Sequence, residues 1–203
     1  MKLVRQRLGT IEFGQLAKEN MGTPEEYTKI RRNEREKDGA WIKAFLARAE
    51  FGTLATALGN QPFLVTRNFA YDEATYAIYM HGAKKGRTHE SAGNTPRVCF
   101  SASEAGRLLP AKRAMNLGTE FRGVVVFGRL HLVDDPEEAR YGLQLLCSKY
   151  FPHLKPGVDY ETTTEEDLKV TAVLRIDIES WSGKEKKAPE DFPGAFYFRE
   201  VLE

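Results

Sequence analysis

Residues 62–82 read PFLVTRNFAYDEATYAIYMHG. Two runs rich in β-branched and aromatic residues, 62–71 and 74–82, meet at YDEA (71–74). Side chains suited to a pleated, half-buried surface on either side of turn-forming residues predict a hairpin. Upstream, TLATAL (53–58) leads into the turn signal LGNQP (58–62), so the reading is an antiparallel meander of three strands. Downstream, RVCFSA (97–102), RGVVVFGRLHLV (122–133) and TAVLRIDIESW (171–181) have the same character. The expectation is a mainly β fold with flanking helices, an antiparallel barrel of about six strands, because strands that close on one another expose no sheet edge.

The helices announce themselves by a different period. In GAWIKAFLARAEFG (39–52), Trp41, Ile42, Phe45, Leu46 and Ala49 form an apolar helical stripe. In DPEEARYGLQLLCSKYF (135–151), Pro136 suits a first turn and Ala139, Leu143, Leu146, Cys147 and Tyr150 repeat at helical spacing. RTHESAG (87–93) can hold a short helix inside the polar loop 82–96, and TTEEDLKVT (163–171) a turn or helix before a last strand read as DLKVTAVLRIDIESW (167–181). The chain thus divides into a polar N-terminal arm or helix (1–38), one barrel domain (39–187) and an apolar, aromatic C-terminal tail (188–203) that must cover its own core or a partner.

A chain of 203 residues with 41% hydrophobic and 29% charged residues suits one globular core. No apolar run approaches the ~18 residues of a membrane span. The N-terminus lacks the apolar core of a secretory signal, so a cytoplasmic location is expected. A formal net charge of +1 offers no general attraction to nucleic acid or anionic lipid. The two cysteines, Cys99 and Cys147, sit among apolar neighbours and read as buried free thiols.

The densest chemical signal is MHGAKKGRTHE (80–90), where a strand ends at His81 and two glycines bracket Lys84 and Lys85 ahead of Arg87, Thr88 and His89. Glycine admits close backbone approach, arginine offers a fork matched to phosphate, lysine adds a point charge, and a threonine hydroxyl with helix N-terminal amides completes a donor set for an anion. A solvated basic loop is the competing reading. Arg67 and Asn68 could hydrogen-bond a polar heteroaromatic ring from the adjacent strand, or Arg67 could make a surface ion pair. Asn116, Thr119, Arg122 and Gly123 place polar groups at the opening of another strand. The four histidines have no zinc-site spacing, and hydrolase-elbow, P-loop and dinucleotide fingerprints are missing. His131, between Leu130 and Leu132, reads as an exposed strand residue. His81 suits either general-acid or substrate-contact work, or a structural hydrogen bond.

Taken in order, FLVTRNFAYD, AIYMHGAKKGR, NTPRVCF, EFRGVVVFGRLHLVDDPEEAR and TAVLRIDIESWSGK are similar to the pyridoxamine 5'-phosphate oxidase-like FMN-binding split barrels. Within them the chain most resembles the nitroimidazole-resistance (Nim) group, over about residues 41–187. The resemblance implies a split β-barrel homodimer with two FMN sites at the subunit interface. It implies that Gly86, Arg87 and Thr88 form the phosphate loop with Lys84 nearby, Lys84 or Lys85 supplying charge where the family has a basic residue and this chain has Thr88. Thr66, Arg67, Asn68 and Phe69 match the strand along the isoalloxazine, and Met80, His81, Gly82 and Ala83 the strand end beneath the ribityl chain. His81 matches the family's active-site histidine. Arg122 and Gly123 match a further cofactor-contacting stretch, beside which Asn116 is a candidate from its place at the strand mouth, and Trp181 and Lys184 would complete the partner's pocket.

The function so implied is transfer of electrons or hydride from reduced flavin to a small acceptor such as a nitroimidazole. A flavin-binding carrier or sensor without turnover is the first alternative. Pyridoxamine-phosphate oxidation ranks last, because it needs basic residues for a substrate phosphate near the C-terminus and the tail offers only Arg199.

Overall fold

The computed structural model describes residues 24–58, 60–94 and 97–202. Residues 1–23 of the expected polar arm therefore lie outside the described residues. The rest of the arm forms a short helix α1 (Pro24–Thr28), a 3-10 turn (Asn33–Arg35) and a two-residue strand β1 (Glu36–Lys37). Asp38 then accepts a hydrogen bond from the Trp41 amide at 2.8 Å, capping helix α2 (Gly39–Arg48). The stripe of α2 faces inward as its spacing requires, with Ile42, Phe45 and Leu46 buried.

Strands β2 (Gly52–Leu58) and β3 (Gln61–Arg67) form the first hairpin. β4 (Ala70–Asp72) and β5 (Ala77–Ala83) form the second. The polar loop carries α3 (Arg87–Asn94), followed by β6 (Arg97–Leu109) and β7 (Gly118–Leu132). Helix α4 (Pro136–Tyr150) starts at Pro136 with Asp135 accepting from the Glu138 amide at 2.8 Å. A capping box, Thr164 with Asp167, starts α5 (Glu165–Val170), and β8 (Thr171–Lys186) is the last strand.

The strand order is β3-β2-β6-β7-β8-β5-β4, with β1 paired to β8 and every pairing antiparallel. Both hairpins are present, but the three-strand meander and the closed ladder are not. The run 62–71 breaks at Asn68–Phe69, and its two halves, β3 and β4, lie at opposite edges of one open sheet. The break has a physical cause outside the run: the Tyr150 hydroxyl of α4 accepts from the Phe69 amide at 3.0 Å and donates to Glu50 O at 2.5 Å, satisfying an amide that a continuous strand would have given to the ladder. The last strand is also shorter at its start than expected, since residues 167–170 belong to α5.

The main core fills the interior of the curled sheet under α2, with Phe45, Leu46, Leu54, Phe69, Ile78, Met80 and Phe100 fully enclosed. A second cluster, Ala77, Tyr79, Ala139 and Val173, packs the outer face of β5 and β8 against α4. Gly142 permits that contact, because a Cβ there would lie 2.7 Å from the Tyr79 ring. Cys99 and Cys147 are free and half-buried. No helix among the described residues is long and apolar enough to cross a membrane.

Candidate functional site

β5 is covered on both faces, by the sheet interior and by α4, as far as Met80, and its last residues emerge from His81 to Ala83. There the chain turns through Gly86, whose φ of +96° few side chains tolerate, and enters α3 at Arg87. The Glu90 amide bonds back to Gly86 O at 3.1 Å, so the first α3 amides have no helical acceptor and are available to a ligand. Facing them from the far edge of the sheet is Arg67, the last residue of β3.

Arg67 bridges the open seam. Its Nη1 donates to His81 O at 2.7 Å and its Nη2 to Thr88 Oγ1 at 2.9 Å, while Nε is buried without a partner. Burial lowers its pKa, yet an arginine remains charged at any physiological pH. Gly82 makes the bridge possible, since a Cβ there would sit 2.6 Å from Nη1. The Arg87 guanidinium lies 4.1 Å above the Phe63 ring centroid, held by a cation–π contact. Around these groups is a cavity of about 190 Å³ lined by Arg67, Gly82, Lys85, Arg87, Thr88 and His89, with Ala83, Ala172 and Leu174 completing its wall. Three cations, a hydroxyl, an N-terminal helix turn and no carboxylate among the lining side chains constitute a cradle for a dianion such as a phosphate monoester.

Of the residues singled out from sequence, Arg67, Gly82, Ala83, Arg87 and Thr88 line this cradle and Gly86 forms the turn that shapes it. Lys84 instead lines an adjoining cavity of about 320 Å³ between α4, α5 and β8, which also touches His89. Thr66 points to the outer face, where its hydroxyl meets Thr53 Oγ1 at 3.0 Å. Asn68 borders a separate cavity beside Tyr150. Phe69 and Met80 are fully buried, so their side chains are core and reach no ligand.

His81 is exposed and lies in register with Val173. Strand alternation puts its ring on the side of Ala77, Tyr79 and Ala83, away from the Gly82 side that Arg67 crosses. Partial loss of hydration, and then the charge of Arg67, hold its pKa below the ordinary histidine value.

The remaining residues are not gathered at the cradle within one chain. Asn116 is exposed in a 3-10 turn. Arg122 Nε pairs with Glu104 at 2.5 Å, and Gly123 packs on Ser103. Across β2, β6 and β7, three strand spacings separate these two from Arg67, roughly 14 Å. Trp181 packs against Tyr71 and Tyr76, and Lys184 lies 5.6 Å from the Phe121 ring centroid. His131 stands 3.5 Å from Asp177 on a partly exposed strand. His89, named within the basic segment, joins the lining, whereas sequence reasoning left out Ala172 and Leu174, which depend on a β5–β8 pairing that nothing local encodes.

Comparison with known proteins places these observations in a wider group. A family model described as pyridoxamine 5'-phosphate oxidase matches residues 38–185. Among solved structures, a flavocytochrome of Azotobacter vinelandii superposes with a TM-score of 0.69 at 21% identity, covering 88% of this chain and 80% of that one. An FAD- and heme-binding protein of Mycobacterium smegmatis gives 0.68 at 16% identity, covering 76% and 74%. A protein assigned to 5-nitroimidazole antibiotic resistance in Bacteroides thetaiotaomicron gives 0.61 at 19% identity, covering 73% and 84%. These likenesses show a shared fold. No curated protein matches the sequence.

Proposed function

Given that this chain belongs to the pyridoxamine 5'-phosphate oxidase family, we propose that the cradle holds the phosphate of FMN and that the protein is a flavin-dependent oxidoreductase acting on a small acceptor such as a nitroimidazole. One observation carries the reading: Arg67, pinned between His81 O and Thr88 Oγ1, presents a fixed positive charge beside the α3 N-terminus, in the space that the bare Gly82 backbone leaves to its guanidinium. The orphaned Arg67 Nε and the acidic-free lining fit a phosphate. When bound, a flavin supplies two-electron transfer chemistry that no amino-acid side chain provides.

The residues of this chain bind and orient. Arg67 and Arg87 neutralise the phosphate, Thr88 keeps its hydroxyl proton for a phosphate oxygen because it accepts from Arg67, and Lys85 adds a flexible charge. The half-buried outer face of β2, β6 and β7, with Ala55, Cys99, Ser101, Val125 and Phe127, opens into a mostly apolar cavity of about 370 Å³ beside Tyr27, which suits the cover of a second copy. In such a homodimer the residues set apart from the cradle here, Asn116, Arg122, Gly123, Trp181 and Lys184, serve the partner's site.

The position of His81 favours a second reading, a flavin-binding carrier or sensor, because His81 does not line the cradle. Titration of the purified chain with FMN and with FAD, followed by flavin fluorescence, tests binding. Saturable FMN binding weakened by Arg87→Ala supports the assignment, and binding of neither flavin overturns it. Anaerobic photoreduction followed by addition of metronidazole separates the enzyme, which reoxidises on mixing, from the carrier, which stays reduced.

A further inference from the structure

The cavity of about 320 Å³ beside the cradle plays no part in the flavin reading. Its floor is the start of β8, residues 171–173, and its walls come from the end of β7, the head of α4 and the helix α5. The strand register fixes where its charges stand. β8 runs between β5 and β7. Ala83 of β5 pairs with Thr171, and the Val133 amide, just past the end of β7, donates to Val173 O at 2.9 Å. Lys84 and Asp134 are the next residues on the two flanks, so their backbones stand two strand spacings apart, roughly 10 Å, with β8 between them. Both are exposed, and among the described residues neither meets an opposite charge.

His89, which lines the cradle together with Ala83, adds a ring to the Lys84 flank. The other two charged residues of the wall are already engaged, Glu165 by Arg140 and Lys169 by Glu166. Between the flanks the surface is apolar, with Leu132, Val133 and Leu168 half-buried and Ala139 and Val173 buried. A ligand of one sign would pair with one flank and strip water from the other without replacing it. A small zwitterion satisfies both, and the long lysine stem spans the gap that a short ligand leaves.

We propose that this cavity binds a free α-amino acid with an apolar side chain. Its carboxylate meets Lys84 and a His89 N–H, its ammonium meets Asp134, and its side chain lies over Leu132, Leu168 and Val173. The site is formed by this chain without a flavin, and flavin binding bears on neither outcome of its test.

The test titrates the full chain by calorimetry with L-leucine, with 4-methylpentanoate, which lacks the ammonium, and with 3-methylbutylamine, which lacks the carboxylate. Saturable binding of leucine is expected, with each analogue weaker by about tenfold or more through loss of one charge-assisted contact. Lys84→Ala is expected to weaken leucine and 4-methylpentanoate about tenfold and to leave 3-methylbutylamine within about twofold. Asp134→Asn gives the reverse pattern. Should a variant misfold, the three titrations of the unaltered chain decide the matter. No saturable binding of leucine up to about 10 mM, an analogue that binds as tightly as leucine, or a variant that affects both analogues equally overturns the proposal.

Discussion

Placing a methyl group on Gly82 probes the seam and the cradle together. A Cβ at that position would lie 2.6 Å from Arg67 Nη1, where van der Waals contact needs about 3.5 Å. The guanidinium must retreat by about 0.9 Å, which stretches the 2.7 Å bond to His81 O beyond the ~3.2 Å limit of a good hydrogen bond. Losing one charge-assisted bond costs about 2 kcal/mol, or about 4–8 °C in Tm for a chain of this size. Thermal unfolding of Gly82→Ala followed by circular dichroism measures the loss. Arg67→Met supplies the control: without the guanidinium the added methyl meets nothing, so Gly82→Ala becomes nearly neutral in that background and the two changes are non-additive by about 1.5 kcal/mol or more. Replacing a glycine in an unstrained site stabilises by about 0.4–1 kcal/mol through the unfolded chain. A net rise in Tm, or an equal loss with and without Arg67, refutes this picture of how the seam is held.

Thr88→Val removes the acceptor of Arg67 Nη2 and the hydroxyl offered to phosphate; FMN affinity by fluorescence titration is expected to fall about tenfold, while Thr88→Ser stays within about twofold. Glu120 accepts from the Arg107 guanidinium and from the Ala188 amide at 2.8 Å, and Arg107 also binds the Pro189 and Glu190 carbonyls, tying the tail to β6 and β7. Chiefly because of the Arg107 bonds, the Glu120 carboxyl is held at about 2. A folded pKa below the unfolded one gives stability that is full above the unfolded value near 4.3 and is lost as pH falls toward 2. The Tm gap between the native chain and Glu120→Gln therefore closes between about pH 4.5 and pH 2, and parallel Tm curves across that range would contradict it. Gly128→Ala sets a Cβ 2.2 Å from the Asp177 carbonyl at the β7–β8 irregularity; backbone cannot step aside as a side chain can, so a loss of about 3 kcal/mol is expected in urea unfolding, and an unchanged midpoint counts against the register.

The features legible in the sequence were local. The Trp41–Ala49 stripe and Pro136 at the head of α4 mark helices by mechanism, and both turns announce their hairpins. The break at Asn68–Phe69 was hidden because its cause, the Tyr150 hydroxyl, lies 81 residues away. Residues 167–170 look as much like strand as helix until the Thr164–Asp167 capping box decides. In the site, Gly82, Gly86, Arg87 and Thr88 share one short window and could be read together. The face of His81 could not: Ala77, Ile78, Tyr79 and Met80 are all buried, and a strand covered on both sides shows no alternation from which to count parity.

The crossing at Asn68–Phe69 carries the chain from one edge of the sheet to the other within two residues. So short a tether keeps the two edges at a high effective concentration for one another. When thermal motion parts them, re-closure competes favourably with strand addition from a second molecule. A nick at this point would remove that advantage while leaving every other ladder in place, turning a self-sealing gap into an open template for aggregation.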